Sequence, residues 1–163
     1  MKIFKIVLIV VLVFFASCSE SDENTDLYAH RFFKNKTVNI ISNNDTYIKY
    51  GEVKEGNNLV FEYQYSTEGG VNVIDDEYSE FIHFEIEENV NEFKFTDEEL
   101  QKAKLVMSKR CYCAFENDPN KDVLPTGTIS GKKISETTWD IIIDVTFYGN
   151  ENRNIIHKFK FKE

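Results

Sequence analysis

The stretch TTWDIIIDVTFYG, residues 137–149, constrains the fold more than any other in the chain. Trp139, Ile141, Ile143, Val145 and Phe147 recur at every second position, with Asp140, Asp144 and Thr146 between them. Successive side chains of a strand point to opposite faces, so this spacing predicts a strand with one buried face and excludes a helix. Ile142 is the one apolar residue out of phase. The turn composition GNENR follows, and then NIIHKFKFK alternates again. There Ile155, His157, Phe159 and Phe161 share one face and Lys158, Lys160 and Lys162 the other, and those lysines would guard the sheet if this strand is at its edge. With GTISGKKIS before it, the C-terminal third reads as an antiparallel meander.

The same period appears upstream. NLVFEYQYS places Leu59, Phe61, Tyr63 and Tyr65 opposite Glu62 and Gln64. EFIHFEIEE places Ile82, Phe84 and Ile86 opposite Phe81, His83 and Glu85. KTVNIIS, TYIKYGEV and EFKF are shorter candidates, the first two separated by the turn-forming NND. One segment breaks the pattern. TDEELQKA has Thr96 at an N-cap position and Glu99 three residues on, a capping box, with acids first and Lys102 and Lys104 last. It predicts a short helix of two to three turns ending near Lys104. The expectation is an all-β, mainly antiparallel domain with one short helix, built as a β-sandwich or a small β-barrel.

The N-terminus is of another kind. Lys2 and Lys5 precede an unbroken apolar run from Ile6 to Phe15, then Ala16, Ser17 and Cys18. The run is short for a membrane span, which takes about 20 apolar residues, and has the layout of a signal peptide. Phe15-Ala16-Ser17-Cys18 resembles a bacterial lipobox. The resemblance implies cleavage after residue 17 and a diacylglycerol on the Cys18 sulfur, usually with a further acyl chain on its amine. More than one chain suits stable retention, since each buried CH₂ contributes about 0.8 kcal/mol. SESDENTD, directly after Cys18, is too polar to bury and reads as a disordered tether. Its acids Glu20, Asp22 and Glu23 resemble the export signal of Bacteroidota-type surface lipoproteins. That resemblance implies an outer-membrane lipoprotein facing the cell exterior; a periplasm-facing protein with a plain solubilising linker is the alternative. The organisation is then a signal peptide over 1–17, a tether over 18–25 and a single β-rich domain over 26–163.

Charge narrows the partners. The chain has 19 basic and 28 acidic residues, net −9. Removal of residues 1–17 takes Lys2 and Lys5 and no acid, leaving 17 against 28, or −11. Such a surface repels phosphate backbones, so no nucleic-acid partner is expected. The membrane is reached through the lipid anchor alone.

The candidate chemistry is sparse. RCYCAF holds Cys111 and Cys113, a possible redox pair. On a regular strand their Cα atoms lie about 6.6–6.8 Å apart with parallel side chains, which predicts free structural thiols. A bulge or turn would permit a disulfide, which an oxidising compartment favours. His30, His83 and His157 have no metal spacing, although His83 and His157 could meet across a sheet. Asp118, Asn120 and Asp122 mimic the start of a calcium loop, but Val123 replaces the required glycine and Ile129 the twelfth-position acid. Asp75, Asp76, Glu77 and Glu80 read as a solvated acidic run. LPTGT, residues 124–128, reads as a Pro/Gly turn into the next strand. No catalytic constellation, metal site or cofactor motif is recognisable.

The functional expectation is a non-catalytic surface lipoprotein that binds an extracellular protein or glycan. A protease inhibitor is one version. Its candidate loop is Glu116–Gly127, with Asp118, Asn120, Asp122 and Pro125, braced by proline. The excess of tyrosine suits a binding surface as well as a core. The alternative is a barrel-type carrier of a small apolar ligand.

Overall fold

The computed structural model describes residues 26–42, 45–67, 77–115 and 117–163. The signal peptide, Cys18 and the acids Glu20, Asp22 and Glu23 lie outside the described residues, as do Asp75, Asp76 and Glu116. The described chain is nearly all β. Its strands are β1 (Asp26–Ser42), β2 (Lys49–Glu55), β3 (Asn58–Thr67), β4 (Tyr78–Glu87), β5 (Glu92–Thr96), β6 (Val106–Cys111), β7 (Thr126–Ser135), β8 (Thr138–Phe147) and β9 (Glu151–Phe161). They form one sheet in the order β5-β7-β8-β9-β1-β3-β4-β6, with β2 paired to β1. Every pairing is antiparallel except β1 with β9, which is parallel and spans only Arg31↔Lys160 and Phe32↔Phe161.

The sheet curls on itself into an open, barrel-like form. Trp139 of β8 meets Phe61 of β3 at 5.5 Å between ring centroids, although β9 and β1 lie between those strands in the sheet. Phe84 of β4 meets Phe93 of β5 at 5.8 Å, near the two ends of the sheet. The concave face is the predicted apolar phase of each strand. Phe32, Phe61, Ile82, Phe84, Ile129, Trp139, Ile141, Ile143, Val145 and Phe159 are all buried there. Burying a large apolar side chain contributes about 1.5–3 kcal/mol, so these residues dominate the stabilisation.

β1 is longer than the sequence pattern suggests. Asp26–Lys34 and KTVNIIS merge into one 17-residue strand, bent by a bulge between Phe33 and Lys36 where Asn35 takes φ 55°. Asn tolerates that left-handed conformation better than most residues. Before the bulge β1 pairs with β3; after it β1 pairs with β2 and keeps one β3 partner, Lys36↔Asn58. The β1–β2 arm then folds over the outer face of β3, β4 and β6. Val38, Val60 and Val106 form a second small core there. Gly51 N donates to Ser108 Oγ at 2.9 Å, and an added Cβ at Gly51 would lie 2.8 Å from both His83 Nδ1 and Val106 Cγ1. Glu85 clips the arm down, accepting from Val38 N at 2.6 Å, Thr37 Oγ1 at 2.7 Å and Asn58 Nδ2 at 2.9 Å.

One expectation is corrected, and the position of β9 is settled. The helix is a single 3₁₀ turn, Asp97–Gln101. Its capping residues are in place, with Thr96 N donating to Glu99 Oε2 at 3.3 Å. Only Leu100 and Ala103 face the core, which is too narrow a stripe to hold further turns. Lys104 at φ 47°, with Leu105 N donating to Leu100 O, closes it as a Schellman-type stop. Nor is β9 an edge strand, since β8 and β1 flank it; the ends of the sheet are β5 and β6.

Candidate functional site

The concave face has a polar end. Three cross-strand rows lie beyond the Phe32↔Phe61↔Phe84 layer, and they carry tyrosine, histidine and charge instead of phenylalanine. β1 and β3 place Tyr28 opposite Tyr65 and His30 opposite Tyr63. β3 and β4 place Tyr65 opposite Glu80. β4 and β6 place Tyr78 opposite Cys111 and Glu80 opposite Lys109. From the facing layer, β9 contributes Glu151, Arg153 and His157. These residues keep the period-two phase of the core, so the strands bring them to one mouth.

The rings form a chain of contacts. Tyr78 and Tyr65 lie 6.2 Å apart, Tyr65 and Tyr28 5.1 Å, Tyr28 and Tyr63 6.5 Å, and Tyr63 and His30 5.4 Å. His30 stacks on His157 at 3.7 Å and 11°. Tyr28 is 58 % exposed, whereas Tyr63 is buried at the base. Tyr65 Oη donates to Asp26 Oδ1 at 3.0 Å, which raises the Tyr65 phenol above its ordinary value. Burial, and then the nearby Glu80 carboxylate, push Tyr63 up to about 12. The same two causes raise Tyr78, whose Oη donates to Glu80 Oε2 at 3.2 Å. All three therefore stay neutral donors at physiological pH.

Beneath the rings lies a four-charge cluster. Arg153 Nε donates to Glu80 Oε1 at 2.6 Å, and its Nη2 donates to Glu80 Oε2, a bidentate fork. Glu151 pairs with Lys109 and lies 3.5 Å from Arg153 Nη2. Hydrogen bonding to Glu80 raises the Arg153 guanidinium above its ordinary value. Two acids and two bases cancel, so the cluster is a fixed, neutral array of donors and acceptors. His30 behaves differently. Burial, then the proximity of His157, lower it to about 4.

Several sequence-derived candidates are placed elsewhere. His83 does not meet His157. It lies on the outer face, donating Nε2–H to Glu62 at 2.9 Å, and its buried Nδ1 has no hydrogen-bond partner among the described residues. Glu80 is not part of a solvated run but is 2 % exposed in the mouth. Arg153 and Glu151, read as turn, belong to β9. Asp118 accepts from Asn120 N at 3.0 Å and Asn120 Nδ2 at 3.1 Å, while Asp122 pairs with Lys49 at 2.8 Å. Their oxygens do not converge, and the described residues contain no cluster able to hold a metal. Lys121 sits over the Tyr47 ring at 4.8 Å, and Gly127 N donates to Asp97 Oδ1 at 2.9 Å. The loop is thus braced at both ends, with Val123 and Leu124 exposed and Pro125 half-buried between the braces.

Cys111 and Cys113 form a disulfide, Cα–Cα 5.1 Å. The free-thiol expectation assumed a regular strand. β6 instead ends at Cys111, and Tyr112 is a bend, which turns the two sulfurs toward each other. A three-residue ring removes little unfolded-state entropy, about 1.6 kcal/mol on the chain-entropy relation, against about 3 kcal/mol for a fifteen-residue loop.

Comparison with protein-family models, with curated proteins and with solved structures found no match for the chain.

Proposed function

We infer that this chain is a non-catalytic lipoprotein, anchored through Cys18 and facing the cell exterior, whose tyrosine-lined mouth binds an extracellular protein or glycan. One observation carries the binding reading: exposed Tyr28 and half-buried Tyr65 and Tyr78 continue one row of rings above a neutral, hydrogen-bonding floor. Tyrosine provides large contact area with little conformational entropy to lose, and a polar tip for hydrogen bonding. Barrel mouths are recurrent ligand sites. The carrier alternative has less support, because Phe32, Phe61, Trp139 and Phe159 fill the interior where an apolar cargo would sit.

The test is capture from culture supernatant and envelope by the chain lacking residues 1–18, beside a Tyr28→Ala/Tyr65→Ala variant. A partner held by the first and lost by the second supports the mouth. Equal capture by both would sink it. Cys18→Ala tests the anchor separately, since a variant that still fractionates with the outer membrane is not held there by lipid.

A second reading rests on the braced loop. Val123 and Leu124 stand exposed between the Lys49–Asp122 ion pair and the Gly127–Asp97 hydrogen bond. A fixed, exposed extended segment is what a protease cleft accepts, so this loop is the inhibitory candidate. Leu124→Asp should abolish inhibition of any captured protease while leaving the mouth intact.

A further inference from the structure

We propose that Cys111–Cys113 is an exchangeable disulfide, which accepts two electrons from a pair of cysteine thiols of a bound peptide. Three observations combine. The bond links residues two apart, so it staples no distant parts of the fold. It stands at the end of a terminal strand of the sheet, with Cys113 exposed, Cys111 half-buried and Tyr112 86 % exposed between them. It also borders a groove of about 380 Å³ lined by Glu77, Ser79, Arg110, Cys111 and Tyr112. Exposed disulfides that carry no structural burden are the ones open to exchange.

The groove supplies what the reaction needs. The nucleophile is a thiolate, and Arg110, held with its guanidinium 4.9 Å over the Phe81 ring, is a fixed cation beside the path. Glu77 also lines the groove and disfavours acidic peptides. The incoming thiolate attacks Sγ of Cys113, the more exposed residue of the pair. The Cys113–Cys111 bond breaks, a mixed disulfide forms on Cys113, and Cys111 leaves as a thiolate. A second thiolate of the peptide then attacks the mixed disulfide and releases Cys113. The peptide dithiol is oxidised by two electrons, and Cys111 and Cys113 are left as the reduced pair.

The experiment equilibrates the full chain with reduced and oxidised glutathione at graded ratios. Trapping by alkylation and mass spectrometry of the tryptic peptide 111–121 keeps Cys18 out of the count. Expected is reversible reduction across those ratios with an unchanged near-ultraviolet circular dichroism spectrum. In Cys111→Ser, Cys113 should form the glutathione mixed disulfide at least tenfold faster than Cys111 does in Cys113→Ser. A bond that stays oxidised under a hundredfold excess of reduced glutathione would overturn the proposal. Loss of the native spectrum on reduction, or equal reactivity of the two cysteines, would overturn it too.

Discussion

Arg153→Met tests whether the mouth is a coupled charge cluster. Glu80 is 3 % exposed at its side chain and receives both arms of the Arg153 fork. Without the guanidinium its remaining described hydrogen bond comes from Tyr78 Oη, while Lys109 is paired with Glu151. Removing one partner of a buried pair costs about 3–5 kcal/mol. Arg153 is 28 % exposed at its side chain, which places the expected loss near the lower end, about 3 kcal/mol. Urea unfolding can be followed by Trp139, the only tryptophan and fully buried. With a slope of about 1.5 kcal/mol/M, the midpoint should fall by about 2 M. Glu80→Gln combined with Arg153→Met removes both charges, and the double variant should recover at least half of that loss. The coupling is then about 1.5 kcal/mol or more, as expected for groups in direct contact. A single variant within about 0.5 kcal/mol of the parent, with an additive double, would show that solvent already screens the pair and refute the reasoning.

Other outcomes follow from the same geometry. His30 is held near 4, below its ordinary value, so the folded state favours its neutral form. Its stabilising contribution is complete above about pH 6.5 and is lost as pH falls toward 4. Partial exposure reduces the effect to about 1–2 kcal/mol, and His30→Phe should flatten the stability profile between pH 7 and 4 by that amount. Gly51→Ala pushes a methyl to 2.8 Å from His83 and Val106 and should cost about 1–3 kcal/mol in the same urea assay. Phe61→Ala empties the centre of a cluster in which that ring touches Phe32, Phe84, Phe93, Trp139 and Phe159, for an expected loss of about 3–5 kcal/mol.

Period-two alternation made the β7–β8–β9 meander and the inward faces of β3 and β4 legible in the residues alone. Ile142, the apolar residue out of phase, is indeed solvent-facing at 44 % exposure. The long β1 was not legible, because nothing in the local pattern joins the segment before Asn35 to KTVNIIS, and tertiary pairing holds the junction as a bulge. The capping box was read correctly but over-extended, since a cap starts a helix and an apolar stripe is needed to continue it. The mouth is assembled from five strands far apart in sequence, which local pattern cannot join. One signal for it did exist. Glu80 shares the phase of Ile82, Phe84 and Ile86, and Arg153 that of Ile155 and Phe159. Opposite charges on the apolar phase of two strands need each other, or water, when those faces meet.

The brief parallel contact between β1 and β9 also orders events in time. It joins Arg31 to Lys160, positions 129 apart, and Lys162 N reaches Phe32 O at 2.9 Å. The hairpins β1–β3–β4 and β7–β8–β9 can form from neighbouring segments, but this seam waits for the whole domain to be present. Contacts of such separation are slow to form. A chain entering its compartment N-terminus first would hold β1, with Phe32 uncovered on one side, until the last strand arrives. Deleting residues 159–163 should therefore leave a long-lived intermediate with two half-sheets, not a slightly shorter native protein.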